Sequence, residues 1–328
     1  MRVVMVSDVY FPRINGVSTA IQTYQHALRS HGVEVRLVAP DYGEQESAAW
    51  ITRVSSRPVP GDPEDRLVRW PAMRRAVAAA VVEGCDLIHV QTPFVAHYAA
   101  TRAARREGIP VLATYHTLFE EYLKHYAPLV PAPWLRALAR SFSRRQCNAL
   151  DAVIVPSAAI YERLGGYGVK TPMHVLPTGI ALPPEPNDGR RAFRARFAVD
   201  EQRPVALFVG RVAHEKNIDF LIDVVDLTRQ SVPDILLLVA GEGPALPHLR
   251  HAVADRGLHD HVQFIGYLER EVDLPACYAA ADAFVFASRT ETQGLVILEA
   301  MAAGLPVVAL AAMGTIDILG ARRGRPRR

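Results

Sequence analysis

An α/β fold of two doubly wound parallel-sheet domains is what this chain predicts, on three observations. Short apolar and β-branched runs recur along its length: VVMVS, VRLVAP, LIHV, VLATY, AVIVPS and HVLP, then VALFVG, ILLLVAG, VQFIG, AFVFAS and PVVAL. Segments of helical periodicity separate them, and runs that are apolar throughout want helices covering both faces of a sheet. Periodicity fails at Leu182 to Gly189, LPPEPNDG, and 328 residues exceed what one core usually organises. The expected division is 1–181, a linker at 182–189, and 190–319, followed by a basic aperiodic tail, GARRGRPRR, that reads as disordered. Ligands of such sheets gather at the carboxyl ends of the strands, here in a cleft between the domains.

Half of the residues are apolar and 22% are charged, an ordinary globular balance. With a net charge of +3, any basic surface must come from clustering, and no nucleic-acid partner is expected. Cys85, Cys147 and Cys277 are far apart without a CxxC pair, which argues against a disulfide scaffold or a zinc site and for a reducing cytoplasm. The first apolar run lacks a cleavage pattern and reads as a buried strand. The longest uncharged run, Ala300 to Ile316, is broken by Gly304, Pro306 and Gly314 and falls short of the about 18 residues of a spanning helix.

In chain order, the first strand feeds a loop, Asp8 to Ser18, carrying Asn15 and Gly16, and then a helix with Val17, Ala20, Ile21, Tyr24 and Leu28 at core spacing. The loop is either an anion nest at a helix start or a tight turn without a ligand, and it is not GxGxxG. Residues 66–83 read as a helix with surface arginines. LIHVQTP ends a strand, with His89 alternating among apolar neighbours as a core histidine does. After the fourth strand comes Thr114-Tyr-His116, reaching on to Tyr122, and a histidine there can hydrogen-bond a sugar or a developing charge. From Pro131 a helix sets Trp134, Leu135, Leu138 and Phe142 on one stripe, with Arg136, Arg140, Arg144 and Arg145 over the remainder. Such a helix suits an anionic membrane surface, and a core-packed helix with solvated arginines gives the same pattern. Ser157 is an N-cap candidate, and HVLPTGI brings Thr178 and Gly179 to the linker.

The second domain opens with VALFVGRVAHEKN, where Arg211 and Lys216 follow a strand and Asn217 can cap the next helix. Two cations at a strand end can clamp a diphosphate; an ion pair of Lys216 with Glu215 or Asp219 is the plainer alternative. Gly241-Glu-Gly243-Pro is either a turn or a nucleotide contact, and Ile265 stands at another strand end. Then comes SRTETQGLVILEAMAAGLP, residues 288–306. Its loop carries Glu291 into a helix that begins near Gln293, Gly294 and Leu295 and holds Glu299. Eight helical residues span about 12 Å, too far for two carboxylates to share a proton. The free amides at the helix start favour a phosphate, while a capping loop on an amphipathic helix accounts for the same residues.

The pattern E-x7-E followed by AMAAGLPVV resembles the signature of family 4 glycosyltransferases of the GT-B fold, and the likeness runs from Met1 to about Leu319. YHTxxExY, residues 115–122, is similar to the subgroup that glycosylates membrane lipids, including bacterial diacylglycerol glucosyltransferases and related mannosyltransferases. The resemblance implies transfer of a hexose from a nucleotide-diphosphate sugar, with retention and without a metal or other cofactor; no Asp-x-Asp motif occurs. It implies that Asn15 and Gly16 approach the donor phosphates and that His116 contacts the donor sugar after closure of the cleft. GRxxxEKN supplies Arg211 and Lys216 as charge stabilisers, and the Gly241, Gly243 and Ile265 loops lie at the nucleotide. Glu291 orients sugar hydroxyls, Glu299 takes the ribose, and Gln293, Gly294 and Leu295 border the diphosphate. Tyr122, Trp134, Arg136, Arg140 and Arg144 become membrane or acceptor residues of a cytoplasmic enzyme peripheral to the inner face of the membrane.

Relatives continue past the point where this chain turns into GARRGRPRR, so a form with little or no activity is one alternative. A soluble transferase acting on a polysaccharide or small sugar is another. UDP-glucose, UDP-galactose and GDP-mannose all remain open as donors, since main-chain recognition of the base leaves no side-chain code.

Overall fold

The structure, a computed structural model, describes residues 1–43, 48–59, 62–118, 131–180, 189–270 and 272–320. The chain divides into two compact units, Met1–Gly179 and Ile180–Arg328. Most of the expected linker and nearly all of the basic tail lie outside the described residues; Gly189 already opens a helix.

Unit 1 is built on β1 (Arg2–Val6), β2 (Glu34–Pro40), β3 (Ile51–Val54), β6 (Leu87–Val90), β7 (Val111–Thr114), β8 (Ala152–Val155) and β9 (Met173–Val175). They pair in the order β3-β2-β1-β6-β7-β8-β9, every pair parallel. Val3 to Val6 are at most 2% exposed, because a central parallel strand is covered on both faces. Its helices are α1 (Gly16–Ser30), α2 (Trp70–Val82), α3 (Val95–Glu107), α4 (Ala132–Cys147) and α5 (Ala158–Gly166). Ser157 caps α5, its side chain accepting from the Ile160 N–H.

An antiparallel hairpin, β4 (Ser56–Val59) with β5 (Asp62–Val68), lies outside the sequence reading. It corrects the helix expected over 66–83, since Arg66 to Val68 pair with Ser56 to Pro58 and the helix starts only at Trp70. Pro58 and Pro63 mask these strands, because proline is tolerated only where a ladder bond is not needed.

Unit 2 carries β10 (Val205–Val209), β11 (Leu236–Ala240), β12 (Val262–Gly266), β13 (Ala283–Phe286) and β14 (Val307–Ala309), in the order β12-β11-β10-β13-β14, again all parallel. Its helices are α6 (Gly189–Arg196), α7 (Ile218–Thr228), α8 (Leu246–Asp255), α9 (Asp273–Ala280), α10 (Leu295–Ala302) and α11 (Thr315–Gly320). Asn217 does not cap α7 with its side chain as expected. Its backbone is left-handed, φ 57, and its carboxamide reaches the Ala287 carbonyl instead.

One buried charge organises this core. Arg194, 1% exposed, donates to the carbonyls of Ala280, Asp200, Glu201 and Arg203 and to Asp282 Oδ2 at 2.7–3.1 Å. Asp282 also accepts from the Val205 N–H at 2.8 Å, so the guanidinium links α6 to the start of β10. Removing one member of a buried pair strands the other groups without water. Arg194→Met should therefore destabilise the protein by about 3–5 kcal/mol in urea unfolding. A loss below about 1 kcal/mol would reject this role.

Candidate active site

Strand order turns back at β10: β11 and β12 continue to one side, β13 and β14 to the other. Loops leaving β10 and β13 diverge at their carboxyl ends, the usual place for a ligand in an open α/β sheet. The two loops are tied to each other. Asn217 Nδ2 donates to the Ala287 carbonyl and Ser288 Oγ to the Glu215 carbonyl, both at 3.3 Å, and the Lys216 ammonium donates to the Glu291 carboxylate. Lys216 and Glu291 are only 21% and 16% exposed, so water screens their attraction less than at an open surface. The Gly314 N–H holds the Glu291 carbonyl at 2.9 Å. The plainer ion pair suggested by sequence proximity does not form with Asp219, which is taken by His248 at 2.8 Å.

Three residues beyond Glu291, Gly294 caps α10 with φ 93, a conformation that strains any residue with a Cβ. No side chain caps this helix, and its first turn begins at Leu295, two residues after buried Gln293. Arg211 is half-buried immediately past Gly210. The loop after β11 lies against it: Val212 N–H donates to the Glu242 carbonyl at 2.8 Å and Gly241 N–H to the Gly266 carbonyl at 2.8 Å. A Cβ on Gly241 would stand 2.0 Å from the Gly210 carbonyl oxygen, and one on Gly243 2.4 Å from that of Val212. Backbone contact therefore dictates both glycines. Arg211, Lys216, Gly241, Gly243, Ile265, Glu291, Gln293, Gly294 and Leu295 thus stand along one edge of one sheet.

Glu299, just over one turn into α10, accepts from Arg270 Nη2 at 2.6 Å and from the Tyr278 hydroxyl at 3.0 Å. Burial, and then the charge of Glu299, hold the Tyr278 phenol well above its usual range, so it stays a donor. Sequence reasoning did not assign Arg270 or Tyr278 to the site. Both lie between β12 and β13, and only tertiary folding brings them under Glu299.

Unit 1 has the same reversal, between β1 and β6. Asp8, one residue past Ser7 at the end of β1, accepts from the Thr92 hydroxyl at 2.8 Å and the Ala96 N–H at 3.1 Å, anchoring the loop that enters α3. Burial raises its carboxyl from 3.8 to about 6 against these bonds. Asn15 caps α1, its Oδ1 accepting from the Ser18 N–H at 2.8 Å, so its carboxamide oxygen has a structural task beside any ligand contact. Apart from its chain neighbours and the backbone of its own helix, nothing stands within 4 Å of where a Cβ on Gly16 would be.

His116 follows β7 by two residues and is paired through Nε2 with Gln91 Oε1 at 2.8 Å. Burial lowers it from 6.5 to about 4, so it is neutral at physiological pH. His89 is the core histidine expected, 5% exposed, bonded to Thr114 Oγ1 at 2.8 Å and lowered by burial to about 3. His97 is lowered to about 4, again by burial. Gln91 and Asp8 were missed as site residues. Each lies just past a strand flanking the reversal, a positional signal the sequence did contain.

The single stripe expected on α4 is split. Leu135 and Ala139 are buried, with Ser143 and Gln146 continuing that face, whereas Trp134 is 75% and Leu138 61% exposed. Ser143 Oγ meets the Tyr115 hydroxyl at 3.0 Å, and Gln146 donates to the Pro93 carbonyl. Arg136, Arg140 and Arg144, with Gly166 and Tyr167, line a groove of about 520 Å³, and Arg140 lies over the Tyr167 ring at 5.6 Å. Tyr122 lies outside the described residues. Among the described residues no cluster of metal-binding side chains occurs, and no helix is long and apolar enough to cross a membrane.

Comparison with known proteins bears on the whole chain. Residues 14–183 match the pattern of Glycosyltransferase Family 4 and residues 189–323 that of Glycosyl transferases group 1. An alpha-monoglucosyldiacylglycerol synthase of Streptococcus pneumoniae is 32% identical over 319 residues, 94% of this chain and 71% of the relative. A GDP-mannose-dependent alpha-mannosyltransferase of Mycobacterium tuberculosis is 28% identical over 338 residues, covering 98% of this chain and 82% of that protein. Among solved structures, Anabaena HepE in complex with UDP-glucose superposes with a TM-score of 0.74 at 18% identity, covering 97% of this chain and 82% of that one. At that identity the likeness speaks for the fold: two parallel-sheet domains of the GT-B type.

Two measurements follow from this geometry. Gly241→Ala should cost more than about 1 kcal/mol of stability, because φ 131 and the Gly210 carbonyl both oppose a Cβ, while Gly16→Ala should cost less. Equal costs would contradict the close approach. The second concerns pH. His89, His97 and His116 titrate near 3, 4 and 4 against 6.5 when unfolded, so the unfolded chain binds more protons in between, and stability present above 6.5 is lost as pH falls. Asp8 opposes this, its contribution being present below 3.8 and lost as pH rises toward 6. Three groups outweigh one, so the melting temperature should fall from pH 6.5 to about 4.5. His97→Gln should flatten the slope, and a flat wild-type profile would refute the neutral burial.

Proposed function

The chain belongs to the family 4 glycosyltransferases, and from that premise we propose that it moves a hexose from a nucleoside-diphosphate sugar to a hydroxyl of a membrane lipid, with retention at the anomeric carbon. The observation that carries this reading is the Lys216–Glu291 pair beside the uncapped start of α10. An ammonium has three donors, so Lys216 serves a phosphate oxygen and Glu291 together. With Arg211 and the amides following Gly294, it meets the negative charge that grows on the diphosphate as the bond to the sugar lengthens. The reading assigns that charge to protein groups alone and needs neither a divalent ion nor a cofactor.

In the transfer, the bond from the anomeric carbon to the phosphate oxygen breaks and a bond to the acceptor oxygen forms on the same face. The acceptor proton passes to the departing phosphate oxygen. Glu291, held by Lys216, orients sugar hydroxyls; Glu299, positioned by Arg270 and Tyr278, takes the ribose hydroxyls; His116 bonds a hydroxyl of the donor sugar. Gly241, Gly243 and Ile265 present main chain to the nucleotide, and Asn15 and Gly16 approach the phosphates.

A lipid acceptor is favoured by the names of the relatives and by α4. Trp134 and Leu138 are exposed on the helix that also bears Arg136, Arg140 and Arg144. Aromatic and aliphatic groups beside guanidinium groups suit the interface of an anionic leaflet. The enzyme accordingly works as a peripheral protein at the cytoplasmic face of the membrane.

Lys216→Ala should lower kcat by about 2–4 kcal/mol in barrier, on the order of 100-fold or more, with donor hydrolysis and lipid transfer both followed by product chromatography. Undiminished turnover would reject the clamp, and a screen over UDP-glucose, UDP-galactose and GDP-mannose would identify the donor. Sedimentation with anionic vesicles should be salt-sensitive, and replacing Arg136, Arg140 and Arg144 by Ala should weaken it by about 3 kcal/mol, near 100-fold. Binding indifferent to salt and to these arginines would remove the membrane from the proposal.

A further inference from the structure

Thr315 opens α11, is fully buried, and has both arms of its side chain engaged. Its hydroxyl accepts from the Ala312 N–H at 2.9 Å and lies 2.7 Å from the Leu310 carbonyl and 2.8 Å from that of Ala312, one of which takes its hydrogen. Its methyl group faces Gly294, 3.6 Å from where a Cβ on that glycine would stand. A β-branched side chain has little freedom at χ1, so each contact fixes the other.

The turn that Thr315 closes, residues 310–314, is tied at both ends to the segment that carries Glu291. At one end Leu310, just past β14, donates its N–H to the carbonyl of Phe286, the last residue of β13, at 3.0 Å. At the other, the Gly314 N–H donates to the Glu291 carbonyl at 2.9 Å. Gly314 also lies directly on the peptide between Thr292 and Gln293, since a Cβ there would stand 2.1 Å from the Thr292 oxygen and 2.7 Å from the Gln293 nitrogen. Backbone rests on backbone. Met313, beside it, takes a left-handed conformation with φ 53, which a residue with a Cβ keeps only where its surroundings fix it. Phe286, the Glu291 loop, Gly314, Thr315 and Leu310 thereby close a ring, covalent along the chain and hydrogen-bonded across it. Against that ring stand the Glu291 carboxylate, paired with Lys216, and the uncapped start of α10 at Gly294.

We propose that Thr315 and Gly314 are positioning residues for sugar transfer, holding the loop from Glu291 to Gly294 where its carboxylate meets Lys216 and the first amides of α10 meet the diphosphate. Both are buried, so they act through that loop and not by touching a substrate. Their part in transfer rests on the glycosyltransferase reading; the bracing of the loop is a property of the folded chain without substrate. The two arms of Thr315 have separate tasks. The hydroxyl sets the turn and with it the Gly314 N–H, whereas the methyl group fills space against Gly294.

Hydrogen exchange tests the brace in the ¹⁵N-labelled full chain without ligand. The wild-type Gly314 amide should exchange about 100-fold or more slowly than in the unfolded chain. Thr315→Val keeps the shape and the methyl group but strands the Ala312 N–H and the Leu310 carbonyl, and it should speed that exchange by about 10-fold or more. An unprotected wild-type Gly314 amide overturns the proposal, and this measurement decides even where a variant fails to fold.

Kinetics tests the positioning, with whichever of UDP-glucose, UDP-galactose and GDP-mannose supports turnover. Thr315→Val should lower kcat by about 10-fold or more with KM for the donor near wild type, as displacement of catalytic groups does. Thr315→Ser, which restores the hydroxyl, should stay within about 3-fold of wild type. Equal losses in the two variants, or wild-type kcat in Thr315→Val, overturn the proposal. Gly314→Ala should lose at least as much as Thr315→Val, because its Cβ must displace the Thr292 carbonyl.

A double variant separates positioning from mere stability. Once Lys216 is gone, the placement of Glu291 matters less, so adding Thr315→Val to Lys216→Ala should lower kcat by no more than about 3-fold further. A second full loss of about 10-fold would assign Thr315 to stability alone and overturn the proposal. Wild-type protein with a protected Gly314 amide that transfers no sugar would defeat the proposed function and leave the brace standing. Sugar transfer that Thr315→Val leaves unaltered would do the reverse.

Discussion

Two parallel sheets that reverse their strand order impose everything else in this protein. Where β13 leaves on the opposite side of β10 from β11, the loops above them must part, and the backbone there loses the neighbour that would fill the gap. On its β11 side the loop after β10 is held by backbone contacts too tight for any side chain, at Gly241 and Gly243. The chain furnishes the rim with a cation, a carboxylate and the open start of a helix. Lys216 and Glu291 are 75 residues apart in sequence and bonded in space because their loops flank the same reversal.

The two units handle charge in contrasting ways. Unit 2 gathers ions at its strand ends and neutralises them pairwise, as with Lys216 and Glu291 or Arg270 and Glu299. Unit 1 instead withdraws His89, His97 and His116 from water, which holds them neutral, and pairs His116 with Gln91 and His89 with Thr114 by hydrogen bonds. An electrostatic site suits a phosphate leaving group, whose charge develops during reaction. A set of neutral, directional donors and acceptors suits hydroxyls, whose recognition depends on geometry more than charge. The division of labour follows from desolvation: an isolated imidazolium is costly in a buried pocket, whereas a paired ammonium is tolerable at a half-open rim.

Legibility followed hydrophobic period. The apolar strands read correctly because a parallel strand is buried on both faces and needs no polar alternation. The hairpin of β4 and β5 did not, being polar, proline-containing and outside the main sheet. On α4, Trp134 and Leu138 drew attention to one stripe, yet the buried face runs through Leu135, Ala139, Ser143 and Gln146. Adjacent residues on a helix lie about 100° apart, and a face made of small and polar side chains carries no apolar signal. Ser143 and Gln146 are buried because Tyr115 and Pro93 offer them partners, which only the folded chain supplies.

With the exception of β3 and the hairpin of β4 and β5, the order of the apolar strands and the helices between them, the two parallel-sheet domains, and which residues stand at the carboxyl ends of those strands were determined by the sequence alone. These depend on local periodicity and on glycines whose backbone has no alternative. Tertiary structure decided who meets whom: Lys216 with Glu291 and not with Asp219, Glu299 with Arg270 and Tyr278, His116 with Gln91. Pairings of that kind depend on the lateral order of parallel strands, and a chain whose strands are joined by crossover helices does not record in its spacing which strands become neighbours.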